Sequence, residues 1–135
     1  MPCDPVNIGT AREWLRYAEA DLNLARMPLP EGTMHEQLCF HAQQAAEKAL
    51  KAVLVSLGSD FPHTHDLRIL TEIISRQIAI SPSIAKFAGL LTPYAVAFRY
   101  PGGYEPVQDE ERQEAVSAAR DVVEWARQYL SQLSG

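Results

Sequence analysis

Apolar residues recur along this chain every three or four positions, the spacing that places side chains on one face of an α-helix. Glycine, proline and polar residues separate five such segments, and no segment alternates convincingly as a half-buried strand would. The predicted helices are about Thr10–Met27, Met34–Leu57, Asp66–Arg76, Pro82 to Phe98 or Arg99, and Asp109–Leu130 or slightly beyond. The pattern predicts an all-α fold, an antiparallel up-down bundle of four or five helices with a short lateral third helix.

Local signals predict where these helices begin and bend. Thr10 with Glu13, and Thr33 with Glu36, have the spacing of a capping box, which predicts the start of the first two helices. Pro93 lies inside the fourth helix, where its ring crowds the preceding turn, so we expect a bend there.

Length and composition predict a single domain, 1–135, because 135 residues is close to the commonest domain size. The net charge of −5 argues against a broad surface that binds nucleic acid. The central residues 59–108 carry four basic and four acidic groups, so this part of the chain would repel an anion least. No apolar run approaches the ~20 residues of a membrane span, and no signal peptide is visible. We therefore predict a cytoplasmic protein without membrane contact.

The second helix carries the most informative pattern. Alanines dominate one side of it and would let a neighbouring helix approach closely. A polar stripe also runs along it, formed by Gln37, His41, Gln44, Lys48 and Lys51. Two interpretations stay open: an exposed or dimer-facing stripe, or one wall of a polar pocket in which Lys48 contacts an anion. Glu47 and Lys51 are read as a surface ion pair without functional meaning.

Four short pieces, taken together and in order, resemble the HEPN domain family. They are Ala20-Asp21-Leu22, the second helix from Phe40 to Ala52, Thr64-His65-Asp66-Leu67, and Arg99-Tyr100-Pro101. The resemblance covers most of the chain. It implies a small helical bundle that usually forms a homodimer, and many members stand beside a minimal nucleotidyltransferase in toxin–antitoxin-like pairs.

Many HEPN proteins are metal-independent ribonucleases, in which an Arg and a His separated by four to six intervening residues meet their counterparts across the dimer. Arg99 matches the Arg of that motif by its place at the end of the fourth helix. The His would fall at Tyr104, Glu105 or Pro106, none of which exchanges protons near neutral pH as an imidazole does. This departure indicates a non-catalytic or divergent member.

Three residues around that loop are candidates for ligand binding. Arg99 either compensates the helix dipole or contacts a phosphate, for which a guanidinium is well suited. Tyr100 and Tyr104 either pack against the bundle or stack on a base. If the chain is active, Arg99 and Tyr104 are the catalytic candidates.

The remaining candidates for ligand binding are His41, Gln44, Lys48, His65 and Asp66. We expect His65 to make a capping or structural hydrogen bond, held by Asp66 or by a backbone carbonyl. His63 and His65 lack a convincing third metal ligand, so no metal site is predicted. No glycine-rich phosphate loop follows a strand, and no cofactor is predicted.

The leading hypothesis is an interaction module: a HEPN-like homodimer that binds a partner protein or a nucleotide. The partner that the resemblance implies is a minimal nucleotidyltransferase. The alternative is a HEPN ribonuclease with Arg99 at the phosphate and Tyr104, His41 or His65 as the proton-transfer group. The site prediction requires that the stripe through His41 and Lys48 and the loop after Arg99 converge on one surface.

Overall fold

A computed structural model describes residues 9–95 and 105–134 of the chain, apart from the side chain of Ser134. The helices are α1 (Ala11–Ala25), α2 (His35–Ser56), α3 (Leu67–Ser75), α4 (Pro82–Leu91) and α5 (Asp109–Ser134). Within the described ranges there is no strand. The prediction of an all-α fold with five helices is confirmed.

The start of α1 and the end of α2 are each fixed by hydrogen bonds among neighbouring residues. The capping box at α1 is confirmed, since the Glu13 amide donates to Thr10 Oγ1 at 3.1 Å and the Thr10 amide donates to Glu13 Oε1 at 2.8 Å. At the end of α2, Gly58 has a φ of 65°, a conformation that glycine adopts without a Cβ clash. The Ser59 amide then donates to the Leu54 carbonyl at 3.0 Å, which closes the helix.

The predicted capping box of Thr33 and Glu36 is wrong. Helix α2 is preceded by Met34, whose amide donates to Gln37 Oε1 at 3.0 Å. Thr33 instead donates its hydroxyl to the Pro30 carbonyl at 2.6 Å. Because the Thr33 hydroxyl is bonded to the Pro30 carbonyl, it does not cap the helix. The bond between a helix-start amide and a side chain three residues later therefore forms between Met34 and Gln37, one residue later than predicted.

Pro93 changes the end of α4 as its chemistry requires. The α-helix ends at Leu91 and continues as a 3₁₀ turn over Thr92–Ala95. A proline has no N–H to donate to the carbonyl four residues earlier, so the α-helical ladder cannot continue through it. The predicted continuation to Phe98 or Arg99 lies outside the described residues.

Helix α2 is the central element and contacts every other helix. Helix α1 runs antiparallel to it, because Asp21 pairs with Lys48 whereas Trp14, two turns earlier, lies beside Lys51. The alanine face of α2 is fully buried, including Ala42, Ala45, Ala46, Ala49 and Ala52. Small side chains therefore allow the close approach that the sequence predicted.

Helix α5 runs antiparallel to α1. Near its start, Arg112 donates to the carbonyls of Ala25 and Met27 at the end of α1, and near its end Arg127 pairs with Glu19. The helix extends to Ser134, past the predicted end. Leu133 is 56% exposed because it lies in the last turn, at the edge of the bundle.

Candidate functional site

The polar side chains of α2 belong to two separate groups on two sides of the helix. We call Asp21, His41 and Lys48 the Asp21 cluster, and Gln43, Glu47, Lys51 and His65 the Glu47 cluster. The first faces α1 and the second faces the segment that leads into α3. Both place one carboxylate between a lysine and a histidine.

In the Asp21 cluster one carboxylate holds two partners from α2. Lys48 Nζ lies 2.5 Å from Asp21 Oδ2, and His41 Nδ1 lies 3.1 Å from Asp21 Oδ1. The Lys48 side chain is 26% exposed and the His41 side chain 32% exposed. The cluster thus ties α1 to α2 at a half-open edge of the bundle, where water still reaches both basic groups.

In the Glu47 cluster the carboxylate is buried. Glu47 Oε2 accepts from Lys51 Nζ at 2.8 Å, and Glu47 Oε1 accepts from Gln43 Nε2 at 3.1 Å. His65 Nδ1 lies 2.9 Å from the same Oε1 atom. The side chains of Glu47 and Lys51 are only 5% and 9% exposed. Every donor around the carboxylate therefore compensates for its removal from water.

Burial acts to raise the pKa of Glu47, but the hydrogen bonds from Lys51, His65 and Gln43 outweigh it and lower the pKa below the usual glutamate value of 4.5. The Lys51 ammonium also lies between two aromatic rings, 5.9 Å from the centroid of Trp14 and 5.7 Å from that of Phe61. Such cation–π contacts attract the ammonium group to the ring faces where little water is present.

His65 is the outward-facing member of the Glu47 cluster. Its side chain is 68% exposed while its Nδ1 atom contacts the buried carboxylate, and its backbone carbonyl accepts from Gln43 at 3.1 Å. A carboxylate that holds one imidazole nitrogen fixes the orientation of the ring. The arrangement is chemically able to transfer protons at the surface.

The prediction that Asp66 or a backbone carbonyl holds the His65 ring is wrong, because Glu47 holds it. Asp66 instead caps α3 by accepting from the Arg68 amide at 3.0 Å, and it pairs with the Arg68 guanidinium at 3.0 Å. The hydrogen bond from that guanidinium holds the pKa of Asp66 below its usual value. Asp66 therefore serves the start of a helix in this structure.

The structure divides the predicted polar stripe of α2. His41 and Lys48 are brought together by Asp21, and Gln44 donates to the side chain of Gln43 at 2.8 Å, beside the other cluster. Lys51, assigned to the same stripe, is buried with Glu47. The interpretation of Glu47 and Lys51 as a surface pair is therefore wrong.

Arg99, Tyr100 and Tyr104 lie outside the described residues, as does the loop between them. The predicted convergence of Arg99 with the stripe through His41 and Lys48 stays a prediction. Among residues 9–95 and 105–134, no group of three His, Cys, Asp or Glu side chains is arranged to hold a metal ion. No helix within those ranges combines the length and the apolar character that crossing a bilayer requires.

Sequence reasoning did not identify Asp21 and Glu47, the carboxylates at the centre of the two clusters, as site residues. Asp21 contributed to the family resemblance but was not predicted as a site residue, since its partners lie 20 and 27 positions away. Gln43, Glu47 and Lys51 form an i, i+4, i+8 series on an otherwise alanine-rich helix. That series was the available signal, because three polar residues in line on a buried face need partners for one another.

The fold and the clusters define a helical-bundle domain, and comparisons place it in a family. The HEPN domain profile matches residues 11–129, so the chain belongs to the HEPN domain family. The resemblance drawn from the sequence is confirmed.

The similarity extends over almost whole chains. A Methanocaldococcus jannaschii protein named "Putative toxin MJ1304" is 26% identical over 147 aligned positions, which cover 96% of this chain and 93% of that one. The crystal structure of TT1696 from Thermus thermophilus has a TM-score of 0.76 and 27% identity, covering 87% of this chain and 96% of that one. ST0689, titled an archaeal HEPN homologue, shares the fold at a TM-score of 0.72 and 24% identity, with 90% and 98% covered.

Proposed function

We propose that this HEPN protein is an interaction module that forms a homodimer and pairs with a minimal nucleotidyltransferase in a toxin–antitoxin-like system. The similarity to a protein named as a toxin supports a role on the toxin side of such a pair. The structural observation that carries the proposal is an exposed apolar surface on α1 and on the segment that follows it.

Large apolar side chains are exposed in that region. Tyr17 and Leu24, seven positions apart and therefore on one face of α1, are 59% and 38% exposed. Met27, Leu29 and Met34 continue the exposed set beyond the helix at 49%, 38% and 58%. Several large exposed apolar side chains on one helix and the segment after it are typical of interaction sites in soluble proteins.

The occupant that we propose for this face is a second copy of the chain, as the family resemblance implies. A two-fold dimer uses the same patch from both protomers, so one apolar helix face suffices. Asp21 lies next to this face and pairs with both His41 and Lys48. Because these charges are matched within the protomer, a partner can cover them without leaving an unpaired buried charge.

The homodimer is tested by the mass of the protein in solution, by light scattering behind gel filtration. We expect twice the chain mass of 15.0 kDa for the wild type and a monomer for Tyr17→Lys/Leu24→Lys. A matched control is Ile69→Lys/Leu90→Lys, since those two side chains are 39% and 40% exposed on other helices. A monomeric wild type, or equal dissociation of both variants, contradicts the proposed face.

Pairing with a nucleotidyltransferase is tested by expression alone and together with a minimal nucleotidyltransferase from the same genome. We expect the chain alone to slow host growth, and co-expression to restore growth while the two proteins co-purify. A harmless chain, or a toxic chain that no such enzyme binds or relieves, contradicts the pairing. Binding of a nucleotide is tested by calorimetric titration with ATP and GTP, for which no heat and no shift in melting temperature at millimolar ligand is the negative result.

A second candidate function, a ribonuclease, is favoured by one observation, the His65 ring held by a buried carboxylate and exposed to solvent. In this proposal Arg99 contacts the scissile phosphate and His65 supplies or removes a proton, in place of the missing motif histidine. RNA cleavage by the wild type is compared with Arg99→Ala and His65→Ala, with His63→Ala as a matched control from the same segment. Equal rates for all four proteins, or no cleavage by any, contradict this candidate.

A further inference from the structure

We propose that a pocket between the C-terminal end of α1 and the N-terminal half of α5 binds a phosphate group of a nucleotide or of RNA. The pocket is open to solvent and has a volume of about 320 Å³. We call it the arginine pocket. It is lined by Arg26, Arg112, Gln113, Val116, Ser117 and Arg120.

The lining is basic in a chain that is acidic overall. The protein has 17 acidic and 12 basic residues, yet three arginines and no carboxylate line this pocket. Two of the three basic residues in the segment 109–135 contribute to it, whereas none of that segment's six acidic residues does. Arg112, Val116 and Arg120 recur every four positions on α5, so both arginines share one face of the helix. Of the two, Arg112 is the one that pairs with Asp109.

Arg112 forms a fixed part of the wall. Its guanidinium donates to the carbonyls of Ala25 at 3.2 Å and Met27 at 3.1 Å, and to Asp109 Oδ1 at 2.7 Å. The residue is 8% exposed, and its Nε atom is buried without a hydrogen-bond partner. These contacts place a positive charge on the last carbonyl of α1 and on the carbonyl of Met27 just beyond it, which offsets the negative end of the helix dipole.

The other two arginines keep donors for a ligand. Arg26 donates to the neutral Asn23 side chain at 2.8 Å. Arg120 lies 3.5 Å from Asp121 in a single exposed contact, and it reaches Ser117 Oγ at 3.4 Å. Exposed contacts of this kind are weak, so an incoming anion can compete for both guanidinium groups.

A phosphate group suits this combination of donors. Guanidinium groups offer several N–H donors in a planar fork that matches phosphate oxygens, and the Ser117 hydroxyl and the Gln113 amide add neutral donors nearby. Val116 supplies an apolar contact for a sugar or a base. A pocket of this volume accommodates a phosphate with part of a nucleoside.

The proposal is independent of the nucleotidyltransferase pairing. It uses no residue of the Asp21 or Glu47 clusters, and it does not use Arg99. Its failure would leave the dimer, the pairing and the ribonuclease candidate untouched.

The test is a titration of the ¹⁵N-labelled full chain, followed by two-dimensional NMR at constant ionic strength. The ligands are AMP, inorganic phosphate and the diester uridylyl-3′,5′-uridine, with adenosine as the control that lacks phosphate. We expect the backbone amides of Arg26, Ser117 and Arg120 to shift with at least one phosphate ligand and not with adenosine. Tightest binding of AMP identifies a nucleotide monoester as the ligand, and tightest binding of the diester identifies RNA.

Variants then locate the binding. Arg26→Gln/Arg120→Gln removes two positive charges and should weaken binding roughly tenfold, the scale of losing charge-assisted hydrogen bonds. Arg16→Gln/Arg76→Gln removes the same charge elsewhere on the surface and should change affinity less than about twofold. The proposal is overturned if no phosphate ligand shifts these amides, if adenosine shifts them equally, or if both double variants bind alike.

Discussion

The Asp21 and Glu47 clusters contain the same three residue types, a carboxylate with a lysine and a histidine, but burial gives them different roles. In the Asp21 cluster both basic side chains keep contact with water, at 26% and 32% exposure. In the Glu47 cluster the carboxylate and the lysine are almost completely buried, and only His65 faces outward. The comparison teaches that similar groups of charged side chains contribute differently to the protein according to how deeply each group is buried.

The largest expected effect is on stability, from Glu47→Ala. The change leaves the Lys51 ammonium buried without its carboxylate and removes the acceptor of Gln43, so we expect a loss of about 3 to 5 kcal/mol in the free energy of unfolding. Urea denaturation measures it. The matched control is Glu72→Ala, which breaks an exposed pair with Arg76 at the same i, i+4 spacing and should cost less than about 0.5 kcal/mol.

The double variant Glu47→Gln/Lys51→Met tests whether the loss comes from an unpaired buried charge, because it removes both charges while keeping similar volumes. Replacing a buried ion pair by uncharged groups of similar size often costs little, so the double variant should be more stable than Glu47→Ala. A double variant that is less stable than the single one would show that the pair contributes more than it costs to bury.

Acid should weaken the Glu47 cluster. The hydrogen bonds to Glu47 hold its folded-state pKa below the usual value of 4.5, despite the opposing effect of burial. The unfolded chain therefore binds a proton first as the pH falls. The stability that Glu47 contributes is fully present above pH 4.5 and is lost as the pH falls through the folded-state pKa.

The measurement is the urea midpoint between about pH 6 and pH 3, a range that spans the ordinary glutamate pKa, for the wild type and for Glu47→Gln. We expect the urea midpoint of Glu47→Gln to fall less steeply with falling pH than that of the wild type, because the variant lacks a carboxylate whose pKa differs between the folded and unfolded states. Part of the slope should remain, since hydrogen bonds also lower the pKa of three further carboxyls, those of Glu13, Asp66 and Asp109. An equal pH dependence of the urea midpoint in the two proteins would mean that Glu47 does not contribute to the loss of stability in acid.

A smaller loss of stability is expected from Asp21→Asn, which removes the carboxylate charge of the Asp21 cluster. The substitution weakens the link between α1 and α2, yet water can solvate both His41 and Lys48 when the carboxylate is gone. We expect a loss of about 1 to 2 kcal/mol, measured by the same denaturation. A loss as large as that of Glu47→Ala would contradict the distinction between the clusters.

The smallest effect is expected from Lys48→Met. Asp21 keeps its contact with His41, and the methionine retains most of the aliphatic packing of the lysine. The free energy of unfolding should fall by less than about 1 kcal/mol. Comparing this value with Lys51→Met, which leaves Glu47 without its closest cation, measures the effect of burial for the same substitution.

Local signals predicted much of the fold. The period of the apolar residues indicated all five helices, and Thr10 with Glu13 fixed the start of α1 because both partners lie within one turn. The prediction for Thr33 failed because the Pro30 carbonyl competes for the same hydroxyl.

The candidate site was less accessible from sequence. His41, Lys48 and His65 were singled out as polar residues of interest, but their anionic partners were not identified. Asp21 lies 27 residues from Lys48, and His65 lies 18 residues from Glu47. Such pairs follow from the order and direction in which helices pack, which no local spacing encodes.

The sequence by itself determined that this chain is a helical bundle, since helix formation, helix ends and apolar faces depend on residues within a few turns of one another. Only the tertiary structure decided which charges are buried, which side chain of the Glu47 cluster faces solvent, and that three arginines from two helices line one pocket. The physical reason is that desolvation and charge pairing depend on distances between helices, and those are set by the packing of the whole chain.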